Sequence, residues 1–226
     1  MNTFNEVLGL QEVSVFHDDR VILRDVHMSL SSGEFCYLRG ESNSGKSSFL
    51  HALYGLNEIQ GARMNVAGVN LRELTRKTLA TFRRKIGLIS PIYPLMKEES
   101  VFNNLDSVLS LMEWSVASER EKRVHTVLDQ LGLNQVQGER IYELPSGMRQ
   151  KVSIARAVLH KPDIILADNP MIHLDNKSTD EVMSLFIHMV RDHKSAILCA
   201  VSDSTLIDQY PSRSYLCADG TITEYR

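Results

Sequence analysis

The chain has 226 residues, of which 43% are hydrophobic and 23% are charged, and its formal net charge is −3. This composition predicts a globular protein with a buried core, either one large domain or a core domain with an inserted subdomain. The small net charge argues against a nucleic-acid-binding surface or an acidic tail.

The first 90 residues predict several strands and two helices. Strand-like alternation appears in EVSVF, VILRDVHMSL and EFCYLRG, and turn residues separate these runs. A helix is expected over KSSFLHALYGL, followed by two short strands on either side of Gly68. The run LTRKTLATFRRK predicts a basic amphipathic helix, and IGLIS predicts the next strand.

The pattern changes between residues 91 and 143, where helical spacing follows two prolines and predicts an inserted all-helical subdomain. After it, strand, helix and strand alternate in DIILAD, STDEVMSLFIHMVRDH and SAILCAVS, and two short strands close the chain. Such alternation implies a parallel sheet. We therefore expect one α/β domain over residues 1–226, with its core in 1–90 and 144–226.

A phosphate-binding loop is predicted by the spacing G-x-x-x-x-G-K-S. Two glycines let backbone N–H groups curl around phosphate oxygens at the start of a helix, whose dipole favours anions. In this motif the lysine reaches the β- and γ-phosphates and the hydroxyl that follows ligates Mg²⁺. The alternative, a turn with an exposed lysine, is disfavoured because the loop follows a strand and opens a helix. The residues are Gly40, Glu41, Ser42, Asn43, Ser44, Gly45, Lys46, Ser47 and Ser48.

Asp168 ends the apolar run DIILA and is the second predicted metal ligand. A carboxylate just past a buried strand can hold Mg²⁺ through water or together with Ser47. Many strands end in aspartate, so the pattern gains its meaning from the phosphate loop. Together the two motifs predict binding of ATP with Mg²⁺. The eight histidines do not pair at metal-ligand spacings, so no other metal is assigned.

The stretch LPSGMRQKVSIARAVLHKPDIILADNPMIHLD, residues 144–175, resembles the ATP-binding subunits of ABC transporters, and the resemblance covers essentially the whole chain. LPSGM stands at the signature loop, HLD at the D-loop and RRKIGLIS before the Q-loop. The resemblance implies a P-loop fold with an antiparallel β-subdomain. It implies that Phe16 stacks on adenine, although a buried core position is the alternative, and that Ser146 and Gly147 contact ATP.

Four motif positions depart from the pattern of this family. The Q-loop glutamine is replaced by Pro91, the catalytic glutamate by Asn169 and the switch histidine by Ser202. In the signature loop Pro145 replaces the serine, and Ser146 replaces the first glycine. The groups that grip phosphate and metal are retained, whereas the altered ones face the γ-phosphate and its attacking water.

The departures predict hydrolysis that is very slow or absent. The amide of Asn169 is a far poorer base than a carboxylate, and a general base contributes about 10²–10⁴ in rate. A substitute base remains an alternative, and the candidates are Asp203, Glu143 and Asp175. With one of them the chain would be an ordinary transport or division ATPase. A small-molecule kinase is disfavoured because the signature helix has no role in such a fold. A DNA-repair ATPase is disfavoured because the sequence has no long heptad insert and no long basic patch.

Within the family, the short loops and the FRRKIG lead-in look most like the FtsE/LolD branch, which pairs with permeases of few membrane spans. This implies a membrane permease-like partner, FtsX-like if the chain belongs to that branch, docked near residues 91–104. We expect a homodimer on ATP binding, and a heterodimer with a complete chain is the alternative. No apolar run approaches the ~18 residues of a membrane span. The expected location is therefore cytoplasmic, peripheral on the inner face of the plasma membrane through that partner.

Overall fold

The computed structural model describes residues 5–91 and 95–225, and within them eleven strands and seven α-helices. The strands are β1 (Glu6–His17), β2 (Arg20–Ser31), β3 (Phe35–Arg39), β4 (Ile59–Gln60), β5 (Arg63–Val66), β6 (Val69–Asn70), β7 (Ile86–Ile89), β8 (Ile164–Asp168), β9 (Ala196–Val201), β10 (Arg213–Ala218) and β11 (Thr221–Tyr225). The helices are α1 (Lys46–Leu53), α2 (Leu79–Arg83), α3 (Val101–Leu111), α4 (Ala117–Gln130), α5 (Ser146–Val158), α6 (Asn176–Asp192) and α7 (Thr205–Gln209).

The central sheet has six strands in the order β11-β10-β3-β9-β8-β7. The five strands from β10 to β7 pair in parallel, and β11 joins β10 antiparallel. The predicted α/β fold with a mostly parallel core is confirmed. Parallel strands direct their carboxyl ends to one edge, so the loops after β3, β7, β8 and β9 meet there. Those loops hold the phosphate loop, Pro91, Asn169 and Ser202.

The second sheet is antiparallel, with the order β2-β1-β5-β6, and the short strand β4 pairs with β1. It is the β-subdomain that the family resemblance implied. Strand β1 is longer than the run EVSVF predicted, because its amino-terminal part pairs with both β2 and β5. The hairpin partner β2 carries Ile22 and Leu23 up to the phosphate loop.

Apolar side chains fill both faces of the central sheet. Along β8, Ile164 and Leu166 join the core shared with the β-subdomain and α1, whereas Ile165 and Ala167 join the core formed with α3–α6. All five β8 residues are buried. A strand covered on both faces carries a continuous apolar run rather than an alternating one, as DIILA does.

Helices α3 and α4 lie between β7 and α5. The buried side chain of Arg123 on α4 donates to the carbonyl oxygens of Leu159 at 2.8 Å and Val158 at 3.1 Å. These carbonyls lie at the carboxyl end of α5, where the helix leaves such groups unpaired and favours a cation. This contact fixes α4 against the helix that begins at the signature residues. No helix within the described residues is long and apolar enough to cross a bilayer.

The helix predicted over residues 74–85 is wrong in extent, since α2 spans only Leu79–Arg83. The backbone N–H of Thr75 donates to the Thr78 hydroxyl at 3.0 Å, and the backbone N–H of Thr78 donates to the Thr75 hydroxyl at 3.3 Å. Threonine side chains that bond backbone groups in this way compete with helix formation. The first turn of the expected helix is therefore a separate hydrogen-bonded turn.

Candidate functional site

The predicted phosphate loop links the end of β3 to the start of α1. Gly45 has φ +108°, a conformation that favours glycine, and a side-chain carbon there would lie 3.0 Å from Cγ2 of Ile22. A side-chain carbon at Gly40 would collide with the backbone carbonyl of Cys217. Both glycines are therefore required by the close approach of neighbouring strands. The loop backbone is left free to curl around a ligand.

Lys46 begins α1 and is only 4% exposed. Its ammonium donates to the carbonyl oxygens of Gly40 and Glu41, both at 2.7 Å, and to the Ser44 hydroxyl at 3.4 Å. Burial lowers the pKa of Lys46, while the nearby charge of Asp168 opposes that shift. The cation is thus held inside the loop by neutral oxygens. A buried cation with only neutral direct partners suits an anionic ligand.

The start of α1 and the end of β8 supply the groups that fit a nucleotide with its metal. No side chain caps the first turn of α1, whose N-cap is Gly45, so its backbone N–H groups can receive phosphate oxygens. Ser47 in that turn is exposed, and α1 packs on β8, which ends at Asp168. A hydroxyl and a carboxylate are oxygen ligands of the kind that Mg²⁺ takes. Bound there, Mg²⁺ would neutralise charge on the phosphates.

Two of the substituted positions contact each other beside Asp168. The Ser202 hydroxyl donates to Oδ1 of Asn169 at 3.5 Å, and Nδ2 of Asn169 donates to Oδ1 of Asp168 at 3.4 Å. Asn169 also has φ +44°, which asparagine tolerates better than most residues. The structure therefore joins the family's glutamate and histidine positions in one row of weak hydrogen bonds. At those two positions the side chains are an amide and a hydroxyl, not a carboxylate and an imidazole.

The three substitute bases are occupied as acceptors. Oδ1 of Asp203 accepts from the backbone N–H of Thr205 at 3.0 Å and from its hydroxyl at 2.8 Å, and these bonds lower the Asp203 pKa. Oδ1 of Asp175 caps α6 at the N–H of Ser178, 2.7 Å away, which lowers its pKa. A lowered pKa makes a carboxylate a weaker base.

The third candidate, Glu143, accepts from the backbone N–H of Arg140 at 2.9 Å. Of the three, only Asp203 lines the cavity of about 510 Å³ that also holds Ser42, Asn169 and Ser202. In each of the three carboxylates these bonds use one oxygen and fix the direction of the side chain, and Asp175 and Glu143 do not line the cavity of Asn169. The geometry therefore disfavours a substitute base.

Pro91 lies just after β7 and is exposed. The residue before it, Ser90, is buried, and its hydroxyl lies 3.0 Å from Nε2 of His51 on α1. His51 is half-buried, and burial lowers its pKa. Pro91, at the Q-loop position, has no polar side chain. The residue before it, Ser90, connects β7 to α1 through His51.

Ser146 and Gly147 do not line the cavity of Ser42 and Asn169. Ser146 lines a separate cavity of about 520 Å³ together with Pro91 and His173. Ser146 is exposed at the start of α5, and Pro145 occupies the N-cap. The structure therefore separates the predicted signature contact from the phosphate loop of the same chain.

Phe16 is half-buried near the end of β1, where it pairs with Val21 of β2. The next residues of β2 contact Gly45, so Phe16 lies on the strand beside the phosphate loop. The remaining loop residues differ in exposure: Glu41, Ser42 and Asn43 are exposed, whereas Ser44 and Ser48 are half-buried. The placement of Phe16 is compatible with the ring packing that the family resemblance implied.

Two contacts of the site escaped sequence reasoning. The Cys217 thiol donates to the carbonyl oxygen of Ser44 at 3.1 Å, a contact made by the parallel pairing of β10 with β3. No local pattern signals it. The contact between His51 and Ser90 could be anticipated in part from the sequence. His51 lies four residues after Ser47, so both side chains lie on the same face of α1.

Comparison with known proteins agrees with this geometry. The family model described as ABC transporter matches residues 23–172. The cell division ATP-binding protein FtsE of Streptococcus pneumoniae strain R6 is 29% identical over 210 residues, which are 93% of this chain and 90% of that protein. The ABC transporter ATP-binding protein YxdL of Bacillus subtilis strain 168 is 32% identical over 202 residues, or 88% of this chain and 77% of that one.

Solved structures show the same fold. The dimeric structure of a bacterial ABC transporter cassette covers 97% of this chain and 98% of that chain, with a TM-score of 0.86 and 25% identity. A dimeric post-hydrolysis state bound to ADP and Pi matches with a TM-score of 0.86 and 24% identity. Since the family match spans more than half of the residues, and the loop, strand order and signature helix agree with it, the chain belongs to the ABC transporter family as an ATP-binding subunit.

Proposed function

We propose that the chain binds Mg-ATP between two copies and signals to a membrane permease-like partner, with hydrolysis weak or lost. Members of this family bind ATP, normally with Mg²⁺. In this chain Lys46 and the loop backbone would hold the phosphates, and Ser47 and Asp168 would hold Mg²⁺. The buried, loop-bound ammonium of Lys46 supports this assignment.

The observation that carries the loss of hydrolysis is the row Ser202, Asn169 and Asp168. A catalytic carboxylate takes a proton from water or orients it, and the Asn169 amide cannot take that proton. Its NH₂ group is directed at Asp168 and its oxygen at Ser202. Asp168 therefore stays in place as a metal-binding carboxylate, but Asn169 and Ser202 supply no second carboxylate that could accept a proton from water.

A second copy would complete the site. Ser146 lines a different cavity from Ser42 of the phosphate loop, so a signature contact to ATP would come from the second subunit. The related cassettes whose structures are described as dimeric support this arrangement. If ATP binds more tightly to the closed dimer than to the open one, binding alone shifts the equilibrium toward closure.

The partner would dock near residues 91–104, as in the FtsE/LolD branch, and would be FtsX-like in a cell-division or envelope process. The similarity to a cell division ATP-binding protein supports this choice. Of this segment, residues 92–94 lie outside the described residues. Met96 is 44% exposed, whereas Asn104 is 1% exposed and bonds the backbone of Met96 through both side-chain atoms. We place the chain on the cytoplasmic face of the membrane through that partner.

The test compares ATP affinity with steady-state phosphate release for the wild-type protein, Lys46→Ala and Asn169→Glu. We expect tight ATP binding with little turnover in the wild type, and loss of binding in Lys46→Ala. Asn169→Glu should keep the binding and raise the turnover. The alternative, an active ATPase with non-standard residues, predicts turnover of several per second in the wild type that Lys46→Ala abolishes.

The docking surface is tested by recovery of the chain with membranes. The variant Met96→Glu changes an exposed side chain and leaves the internal contacts of Asn104 intact. We expect lower recovery of the variant than of the wild type from membranes that contain the partner, and equal recovery of the two from membranes that lack it. Equal recovery of the variant and the wild type from membranes with the partner would place the docking surface elsewhere.

A further inference from the structure

The segment Arg72–Lys85 concentrates positive charge in an otherwise acidic chain. It contains six of the 25 lysines and arginines and one of the 28 acidic residues, which gives it a net charge of +5. The rest of the chain therefore carries −8. The one acidic side chain, Glu73, accepts from the Asn70 amide at 3.3 Å. Such asymmetry marks a surface for an anionic partner.

The turn between Thr75 and Thr78, the tip of the basic segment, carries two of these cations in exposed positions. The reciprocal bonds between the two threonines close the turn, and both threonines are exposed. Arg76 and Lys77 occupy the two central positions and are exposed as well. The side chains of both cations therefore face solvent.

Exposed apolar side chains border the same surface. Arg83 donates to the carbonyl oxygen of Gly55 at 3.0 Å, and the next residue, Leu56, is 39% exposed. Arg84 pairs with Glu113 at 2.6 Å beside Leu111, whose side chain is 73% exposed. Cations interleaved with exposed leucines are typical of proteins that lie on a lipid interface.

We propose that the basic segment 72–85 contacts anionic lipid headgroups directly. Anionic headgroups match the exposed cations, and the exposed Leu56 and Leu111 match the apolar layer beneath the headgroups, which an acidic protein segment would leave without a partner. The remaining charge of −8 would repel a nucleic acid that extends beyond this small patch, but it can face away from a bilayer. The segment would thus orient the subunit on the membrane independently of nucleotide and permease.

The experiment measures cosedimentation of the purified full chain with vesicles, without nucleotide or partner, so its outcome is separate from that of the proposed function. Vesicles of phosphatidylcholine alone are compared with vesicles that also contain phosphatidylglycerol. We expect binding to the anionic vesicles only, and its loss as the salt rises from about 0.05 M to about 0.5 M.

The matched variants are Arg76→Glu/Lys77→Glu and Arg20→Glu/Arg24→Glu. The control pair changes charge equally but lies on β2, at the opposite edge of the β-subdomain from β6, which leads into the basic segment. Since each cation at an anionic surface contributes a factor of about five, the tip variant should bind at least about tenfold more weakly. The control should bind as the wild type does.

Three results would overturn the proposal. One is absence of binding to anionic vesicles at low salt, which would leave an acidic protein segment as the partner of the patch. Another is equal weakening by both pairs, which would mean that net charge alone governs binding. The third is unchanged binding in the tip variant when circular dichroism shows that it is folded.

Discussion

Ser202 donates its hydroxyl hydrogen to the side-chain oxygen of Asn169, with the two oxygens 3.5 Å apart. The residues at the family's histidine and glutamate positions are therefore neighbours that contact each other and not two unrelated losses. Asn169 in turn donates to Asp168. Groups that act as one unit give non-additive effects when they are changed.

We predict that Asn169→Glu and Ser202→His restore turnover cooperatively. The carboxylate supplies the base, and the imidazole supplies a group that can reach the γ-phosphate. The double variant should hydrolyse ATP about tenfold or more faster than the product of the two single effects allows, because general acid–base groups contribute about 10²–10⁴ each. Phosphate release under saturating Mg-ATP measures this. Strictly additive effects would show that the two positions act separately.

We predict that a side chain at Gly147, near the start of α5, destabilises the fold. A side-chain carbon there would lie 2.8 Å from the backbone carbonyl oxygen of His173, in the D-loop. Gly147→Ala should therefore destabilise the fold by about 1–2 kcal/mol, despite the better helix propensity of alanine. Gly138→Ala is the control, because a carbon at Gly138 meets nothing within 4 Å. Urea unfolding of both variants measures the difference, and equal stability would contradict the close contact.

The sequence was sufficient for the parts of the fold that local pattern encodes. The phosphate loop needs glycines at fixed positions, and β8 is covered on both faces, so both were predicted with their residues. The helix over 74–85 was predicted too long, because amphipathic spacing does not show that Thr75 and Thr78 bond each other. Side-chain competition of this kind depends on the final backbone path.

The contacts between distant segments could not be predicted. Cys217 reaches Ser44 only because β10 lies beside β3, and strand order is not a local property of the chain. Likewise, sequence left Asp203 and Asp175 open as bases, and their role as acceptors became visible only with the hydrogen bonds to Thr205 and Ser178. Spacing indicates which groups are available, but geometry decides whether they are occupied.

We predict that removal of the buried Cys217 thiol weakens ATP binding. Its hydrogen bond holds the Ser44 carbonyl in the phosphate loop. Cys217→Val fills a similar volume without a donor and should weaken ATP binding about two- to fivefold, in keeping with a hydrogen bond of about 0.5–1 kcal/mol. Cys217→Ser keeps a donor and should bind nearly as the wild type does. Calorimetric titration with Mg-ATP separates the two, and equal affinity of the valine variant would contradict a role in holding the loop.

His160 predicts the pH dependence of stability. Burial, with a smaller contribution from the charge of Arg123, lowers its pKa from 6.5 to about 4. The folded state keeps this imidazole neutral. Above pH 6.5 the imidazole is also neutral in the unfolded chain, so its titration costs none of the free energy of unfolding there. Stability is lost as the pH falls toward 4, where the unfolded chain binds a proton that the folded chain does not.

At about pH 5 this linkage should cost about 2 kcal/mol of the free energy of unfolding relative to neutral pH. His160→Gln removes the titrating group and keeps polar atoms, so its stability should fall less between neutral pH and pH 5 than that of the wild type. Urea unfolding at the two pH values measures both losses. His51 and His193, whose pKa values burial also lowers, titrate in both proteins and cancel in the comparison. Parallel losses in the two proteins would show that His160 is already protonated in the folded state.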